Sequence, residues 1–115
     1  MNNNLKDLVL KTQRKWEDYI LAISKAHKKN ENLNDLVDEL LDEVYAFQYS
    51  DVLFKPTLAK ITQFRSKRKE FISYFIGKNQ VCSEDTGFAI KEWKSINFEN
   101  FKITGNDDYI LSMGN

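Results

Sequence analysis

Leu5, Leu8, Val9, Thr12, Trp16, Tyr19, Ile20 and Ile23 recur at steps of three and four, with Lys11, Arg14, Lys15, Asp18 and Lys25 on the other face. That period predicts an amphipathic helix over about 5–28. It runs out into Lys28-Lys29-Asn30, where cations suit the carbonyl end of the helix dipole. A second stripe, Leu33, Leu36, Val37, Leu40, Leu41 and Val44, predicts a helix over about 32–48. Asn32 stands where an N-cap is expected, and Asp35 stands three residues on, as in a capping box. A third helical stretch, about 66–76, carries Phe71, Ile72 and Phe75 and closes at Gly77.

Between and after the helices the pattern turns strand-like. Val52-Leu53-Phe54 ahead of Pro56 predicts a short strand over about 51–55, because proline cannot donate to a ladder. Thr86-Gly87-Phe88-Ala89-Ile90 predicts another over 86–90. Ile96 and Phe98 alternate, and Phe101 and Ile103 alternate out of phase with them, so a bulge is expected near Asn100. Thr104-Gly105-Asn106-Asp107 is a turn signal between strands of about 96–103 and 108–113.

Helices first and strands second imply an α+β domain, residues 1–115, with N-terminal helices packed on one face of a curved, mostly antiparallel sheet. The last strand has no further partner in this sequence, so the sheet is expected to be incomplete at the C-terminus unless a second copy completes it.

Composition narrows the class. With 115 residues, 42% hydrophobic and 13% aromatic, the chain can bury one core and is not a disordered sequence. Seventeen basic and seventeen acidic residues cancel, so no whole-molecule field draws in nucleic acid or a membrane surface. Cys82 is the single cysteine, which excludes an internal disulfide and a multi-cysteine metal site and fits a reducing compartment. No apolar run approaches the roughly 18 residues of a membrane span, and Met1-Asn2-Asn3-Asn4 does not begin a signal peptide, so the cytoplasm is the expected location. Charge is nevertheless segmented: residues 5–29 and 55–80 are mainly basic, residues 31–51 are acidic without a lysine or arginine, and 84–108 is mainly acidic. Packed elements of opposite sign explain this simply, at little energy per exposed pair.

Four groups could carry chemistry. Arg65-Ser66-Lys67-Arg68-Lys69 could bind phosphate or nucleic acid, but it lacks interleaved aromatics or a glycine loop and reads more simply as a solvated helix start. Cys82 and Ser83 lack a histidine base nearby, since His27 is the chain's single histidine. Glu84 and Asp85 could do acid–base work, or stand in a loop before a strand. Trp16, Tyr19, Tyr45, Phe54, Tyr74, Phe75, Phe88 and Trp93 could line an apolar cavity or fill the core.

Val52-Leu53-Phe54-Lys55-Pro56-Thr57, Phe64-Arg65, Ser73-Tyr74-Phe75-Ile76-Gly77, Glu84-Asp85-Thr86-Gly87-Phe88-Ala89-Ile90 and Met113-Gly114-Asn115 follow in order. In that order they resemble an uncharacterised bacterial and algal family with the cone-shaped fold of nuclear transport factor two, in the superfamily that holds SnoaL-like cyclases and ketosteroid isomerases. The resemblance implies a pocket between the helices and the concave sheet. Asp85 and Glu84 would be its catalytic carboxylates, and Trp16, Tyr19, Lys55, Arg65 and Phe88 its ligand-binding residues. It further implies a small apolar or aromatic ligand, no metal or cofactor, a homodimer, and cyclase- or isomerase-like chemistry; the alternative is a non-enzymatic association module that pairs through its sheet.

Overall fold

The structure, a computed structural model, describes residues 3–115. Met1 and Asn2, part of the start read for a leader, lie outside the described residues. Helix α1 (Asn3–Lys28) turns Ile20, Ile23 and Ser24 inward until they are fully buried or nearly so, and keeps its lysines outside. Lys25, His27 and Lys28 occupy its last turn, as the dipole favours. No helix among the described residues is long and apolar enough to cross a membrane.

Helix α2 (Asn34–Glu43) begins later and ends earlier than the apolar stripe suggests. Leu33 takes the N-cap position without a side-chain bond, while the Asn32 side chain accepts the Asn34 N–H at 2.8 Å, so no Asn32–Asp35 box forms. The early end has a packing cause. Tyr45 and Phe47 both reach Phe71, with ring centres at 5.6 and 4.8 Å, and the chain leaves the helix to point both rings inward.

Helix α3 (Arg68–Ile76) is entered through Glu70, whose carboxylate accepts the N–H groups of Ser66 and Lys67. Arg68 crosses to Asp38 and Asp42 of α2 at 3.2 and 2.9 Å. These half-exposed pairs are worth about 0.5 kcal/mol each at most. They realise the charge complementarity between the acidic and basic segments. Gly77 stops the helix at φ 68. A Cβ there would lie 2.6 Å from the backbone of Thr86 and Gly87, so the crossing of these two segments requires glycine.

Two of the expected strands are not strands. Over 51–55 only Phe54 pairs, through a two-way backbone bridge to Arg65 with both bonds at 2.8 Å. Pro56, one step past Lys55, ends the ladder before it extends. Over 86–90 the chain forms a 3-10 turn, Phe88–Ile90. Gly87 at φ 89 bends the backbone, and the buried Ser24 hydroxyl of α1 takes the Ala89 carbonyl at 2.6 Å.

The remaining strands form a hairpin, β1 (Asn100–Gly105) with β2 (Ile110–Gly114), and this is the one sheet among the described residues. Lys102 pairs with Met113 and Gly105 with Ile110, with a register shift between Asn100 and Lys102. Ile103 is its buried residue. The Gln13 and Asn100 side-chain amides bond to each other in both directions, at 2.8 and 2.9 Å, and fasten the hairpin to α1.

One apolar cluster holds these parts together: Ile20 and Ile23 of α1, Val37, Leu40 and Leu41 of α2, Phe71 and Phe75 of α3, and Ala89 of the 3-10 turn. Burying each large aliphatic or aromatic side chain contributes about 1.5–3 kcal/mol. Phe54, Tyr74 and Phe88 form a chain of ring contacts at the edge of this cluster, each step within 5.5 Å.

Candidate active site

The 3-10 turn with the residues before it, α3 and the loop closed by the Phe54–Arg65 bridge enclose a partly open cleft of about 470 Å³. Pro56, Leu58 and Phe88 give it an apolar side. Tyr74, Thr57, Thr86 and Lys91 bring polar groups to it. Trp93 closes one end, its indole N–H donating to the Phe88 carbonyl at 2.8 Å. Ser24 sets this end of the cleft from below, because its hydroxyl oxygen also accepts the Trp93 N–H at 3.1 Å.

Tyr74 is fixed by its ring rather than by its hydroxyl. The ring stacks on Phe88 at 5.5 Å and an interplanar angle of 12° and meets Phe54 and Phe75 edge-on. Burial, and then the charge of Asp85, pushes its hydroxyl above the usual tyrosine range. It therefore stays a neutral hydrogen-bond donor at physiological pH.

Behind the cleft lies a buried ionic group. Arg65 presents two nitrogens to Asp85, at 2.7 and 2.9 Å, and its guanidinium is wholly shielded from solvent. Its other donors reach the carbonyls of Thr62 and Glu70. The Asp85 hydrogen bond raises the Arg65 pKa further. The buried Ser73 hydroxyl donates to Asp85 at 2.5 Å. Glu84 turns the other way and accepts the backbone N–H groups of Lys60, Ile61 and Thr62. The N–H groups of Lys60 and Thr62 lead in holding its carboxyl below the usual range.

The seven residues singled out from the sequence are thus partly gathered and partly dispersed. Glu84, Asp85 and Phe88 border one cleft, and Arg65 stands behind it. Trp16 touches Phe88 from the α1 side and donates to the Tyr45 hydroxyl at 3.2 Å. Tyr19 faces the acids of α2: burial, helped by Glu43 and Glu39, pushes its hydroxyl up to about 12. Lys55 is exposed and does not line the cleft. Sequence reasoning missed Thr57, Thr86 and Lys91 as lining residues, and it missed Ser73 and Ser24. Nothing in a single Ser or Thr marks it before its neighbours are known.

Other clefts lie among the described residues. One of about 500 Å³, between α1 and residues 96–98, is lined by Lys11, Arg14 and Glu17. Lys11 and Arg14 there stand on an exposed face of α1, and the Gln13 amide that also lines it is taken up by Asn100. Another, about 330 Å³, lies at the end of α1. Among the described residues no group of three His, Cys, Asp or Glu side chains could hold a metal ion.

Helices over a short hairpin, with a partly open cleft of mixed polarity and a buried arginine–carboxylate pair behind it, make this an α+β domain. The family model for metal-independent carbonic anhydrase matches residues 7–115, and the chain belongs to that family. It is 34% identical over 110 residues to a metal-independent carbonic anhydrase of Nostoc sp. strain PCC 7120, a match covering 93% of this chain and 54% of the relative. The chain therefore spans about half the length of the curated relative it matches. A crystal structure of a cyanobacterial iota-carbonic anhydrase complexed with bicarbonate superposes with a TM-score of 0.79 at 30% identity, covering 97% of this chain and 65% of that one.

These matches correct two readings. The chain is not a member of an uncharacterised family of the nuclear transport factor two-like or SnoaL-like kind, and neither a small apolar-ligand pocket of cyclase or isomerase type nor a non-enzymatic association module describes it. The physical reason lies in the motifs. Pro56, Gly77 and Gly87 mark turns and a close backbone crossing, and the residues between them fill a core, so they report architecture rather than chemistry.

Proposed function

We propose that this chain takes part in the reversible hydration of carbon dioxide without a bound metal, with the substrate in the Tyr74 cleft. The observation that carries the reading is the pairing of an apolar wall with neutral and cationic donors in one small cleft of a chain of this family. Carbon dioxide is apolar, whereas bicarbonate is a planar anion. A site that serves both needs apolar contact for one and hydrogen-bond donors for the oxygens that gain charge as the other forms. Phe88, Pro56 and Leu58 offer the first. The hydroxyls of Tyr74, Thr57 and Thr86 and the Lys91 ammonium offer the second.

In this reading a water oxygen attacks the carbon, one C=O electron pair moves onto oxygen, and the donors hold that oxygen as it becomes negative. The proton released leaves through the open side of the cleft to buffer, so the products are bicarbonate and a proton. The carboxylates have a different task. Asp85 is held by Arg65 and Ser73, and Glu84 by three amides. Donors already occupy the oxygens of both carboxylates, so both serve to shape the cleft.

The test is stopped-flow hydration of carbon dioxide, with oxygen-isotope exchange as a second readout, on this chain after treatment with a chelator. Activity that survives chelation and falls about 100-fold in kcat/KM in Tyr74→Phe supports the reading, a loss typical of removing one donor to a developing oxyanion. A folded chain that shows no rate above the buffer overturns it.

A further inference from the structure

Residues 57–62, of which 57–59 line one wall of the cleft, have little to hold them. Thr57, Leu58 and Ala59 line it, yet Leu58 and Ile61 are 85% and 76% exposed, so apolar packing does not fix the segment. Its base is secured by the Phe54–Arg65 bridge and by Arg65, which donates to the Thr62 carbonyl at 3.0 Å. Inside the loop there is one short turn, from the Ala59 N–H to the Pro56 carbonyl, and the Gln63 side-chain amide donates to the Lys60 carbonyl at 3.2 Å.

The remaining fastening comes from across the cleft. One Glu84 oxygen accepts the Lys60 N–H at 2.7 Å and the other accepts that of Thr62 at 2.7 Å, while the Ile61 N–H points between them at 3.1 and 3.2 Å. Three successive backbone donors converging on one anion form a nest, a small fixed positive field. Glu84 itself belongs to the opposite wall, 84–88. One side chain therefore ties both walls of the cleft together. The charged group facing it is Arg65, whose Nη2 lies 3.9 Å away, and the neighbouring Asp85 is already taken by Arg65 and Ser73.

We infer that Glu84 is a positioning residue that latches the cleft: its carboxylate, seated on the amides of Lys60, Ile61 and Thr62, holds the 57–62 wall in place, and its withdrawal opens the cleft. The geometry stands by itself, and the effect on turnover rests on the carbonic anhydrase reading. The nest selects a planar O–C–O anion. Once the side chain is truncated, free formate has the right charge and shape to occupy the same amides.

The decisive experiment is residue-resolved amide hydrogen exchange on the native chain, Glu84→Gln, Glu84→Asp and Glu84→Ala, the last with and without formate. Glutamine supplies an NH₂ where a second acceptor is needed. Protection at Lys60, Ile61 and Thr62 is expected to fall at least about tenfold in the Gln and Ala variants. It should hold at Ile20, Leu40 and Phe75, stay intermediate in the Asp variant, and return in the Ala variant with formate but not with chloride at equal ionic strength. If the chain hydrates carbon dioxide, Glu84→Gln should raise KM several-fold with a smaller change in kcat. Unchanged protection at 60–62, or an equal loss at every amide, would overturn the latch. Where the Gln variant does not fold, the native chain is taken to acid pH and the same three amides are read; protection retained there after Glu84 protonates overturns it too. The exchange result decides the latch even if the chain proves inactive, so the two readings fail separately.

Discussion

Arg65 and Asp85 are twenty residues apart and meet as a two-pronged ion pair, at 2.7 and 2.9 Å, with the guanidinium fully shielded and the carboxylate nearly so. Their contact joins the loop before α3 to the segment that opens the cleft. Desolvation opposes such a pair, and its geometry and extra hydrogen bonds offset that cost. The pair is retained here at the point where two walls of a site must be aligned, which suits a role in specificity of the fold more than in gross stability.

Asp85→Asn should therefore be strongly destabilising, by about 3–5 kcal/mol, because it leaves a buried guanidinium without its counter-charge. Urea unfolding followed by circular dichroism measures this. Replacing both residues by apolar ones of similar volume, Arg65→Met with Asp85→Leu, should cost less than the single change. A double variant that is less stable than Asp85→Asn contradicts this account.

Glu84 gives a pH signature of known sign. Its folded value lies below the usual 4.5, so the stability it adds is fully present above that value and is lost as the pH falls through the lower folded value. Unfolding free energy should drop over that acid window in the native chain. In Glu84→Gln the drop should be smaller, and the difference between the two curves isolates this carboxyl.

Tyr19 has the opposite sign. Its hydroxyl is pushed from 10.0 to about 12, so the stability it adds is present below about pH 10 and fades as the pH rises through the folded value. Phenolate absorbance of the folded chain should show late-ionising tyrosines, because burial raises Tyr45 and Tyr74 too, and Tyr19→Phe should remove one tyrosine's share of that late absorbance. Late absorbance of unchanged amplitude in the variant would show that Tyr19 does not contribute to it.

Gly77→Ala tests the backbone crossing. A methyl group there would stand 2.6 Å from backbone atoms of Thr86 and Gly87, at a φ of 68 that side chains rarely adopt. A loss of about 1–3 kcal/mol is expected from strain alone, with the clash adding to it. The melting temperature of this variant measures the cost, and a value equal to that of the native chain contradicts the crossing.

The three helices and the hairpin were legible because their signals are local. Ile20, Ile23, Leu40, Leu41, Phe71 and Phe75 lie at helical spacing and do form the core. The alternation slip before Phe101 falls at the register shift between Asn100 and Lys102. The candidate site was legible only in part. Glu84, Asp85 and Phe88 do meet at one cleft, whereas Trp16 and Tyr19 belong to packing against other elements and Lys55 stays outside.

By itself, then, the sequence determined where helical faces, turns and a hairpin form, because a period of 3.6 or 2 depends on neighbours a few residues away. The tertiary structure decided everything that depends on a distant partner. It turned 86–90 from strand to 3-10 turn by giving the Ala89 carbonyl to Ser24, sixty-five residues earlier. It also hid Arg65, the first cation of an apparently solvated run, against Asp85, and it seated Glu84 on the amides of Lys60, Ile61 and Thr62. A carboxylate carries the same letter whether it is a base, a buried counter-ion or a latch, and only the donors brought to it by the fold separate those roles.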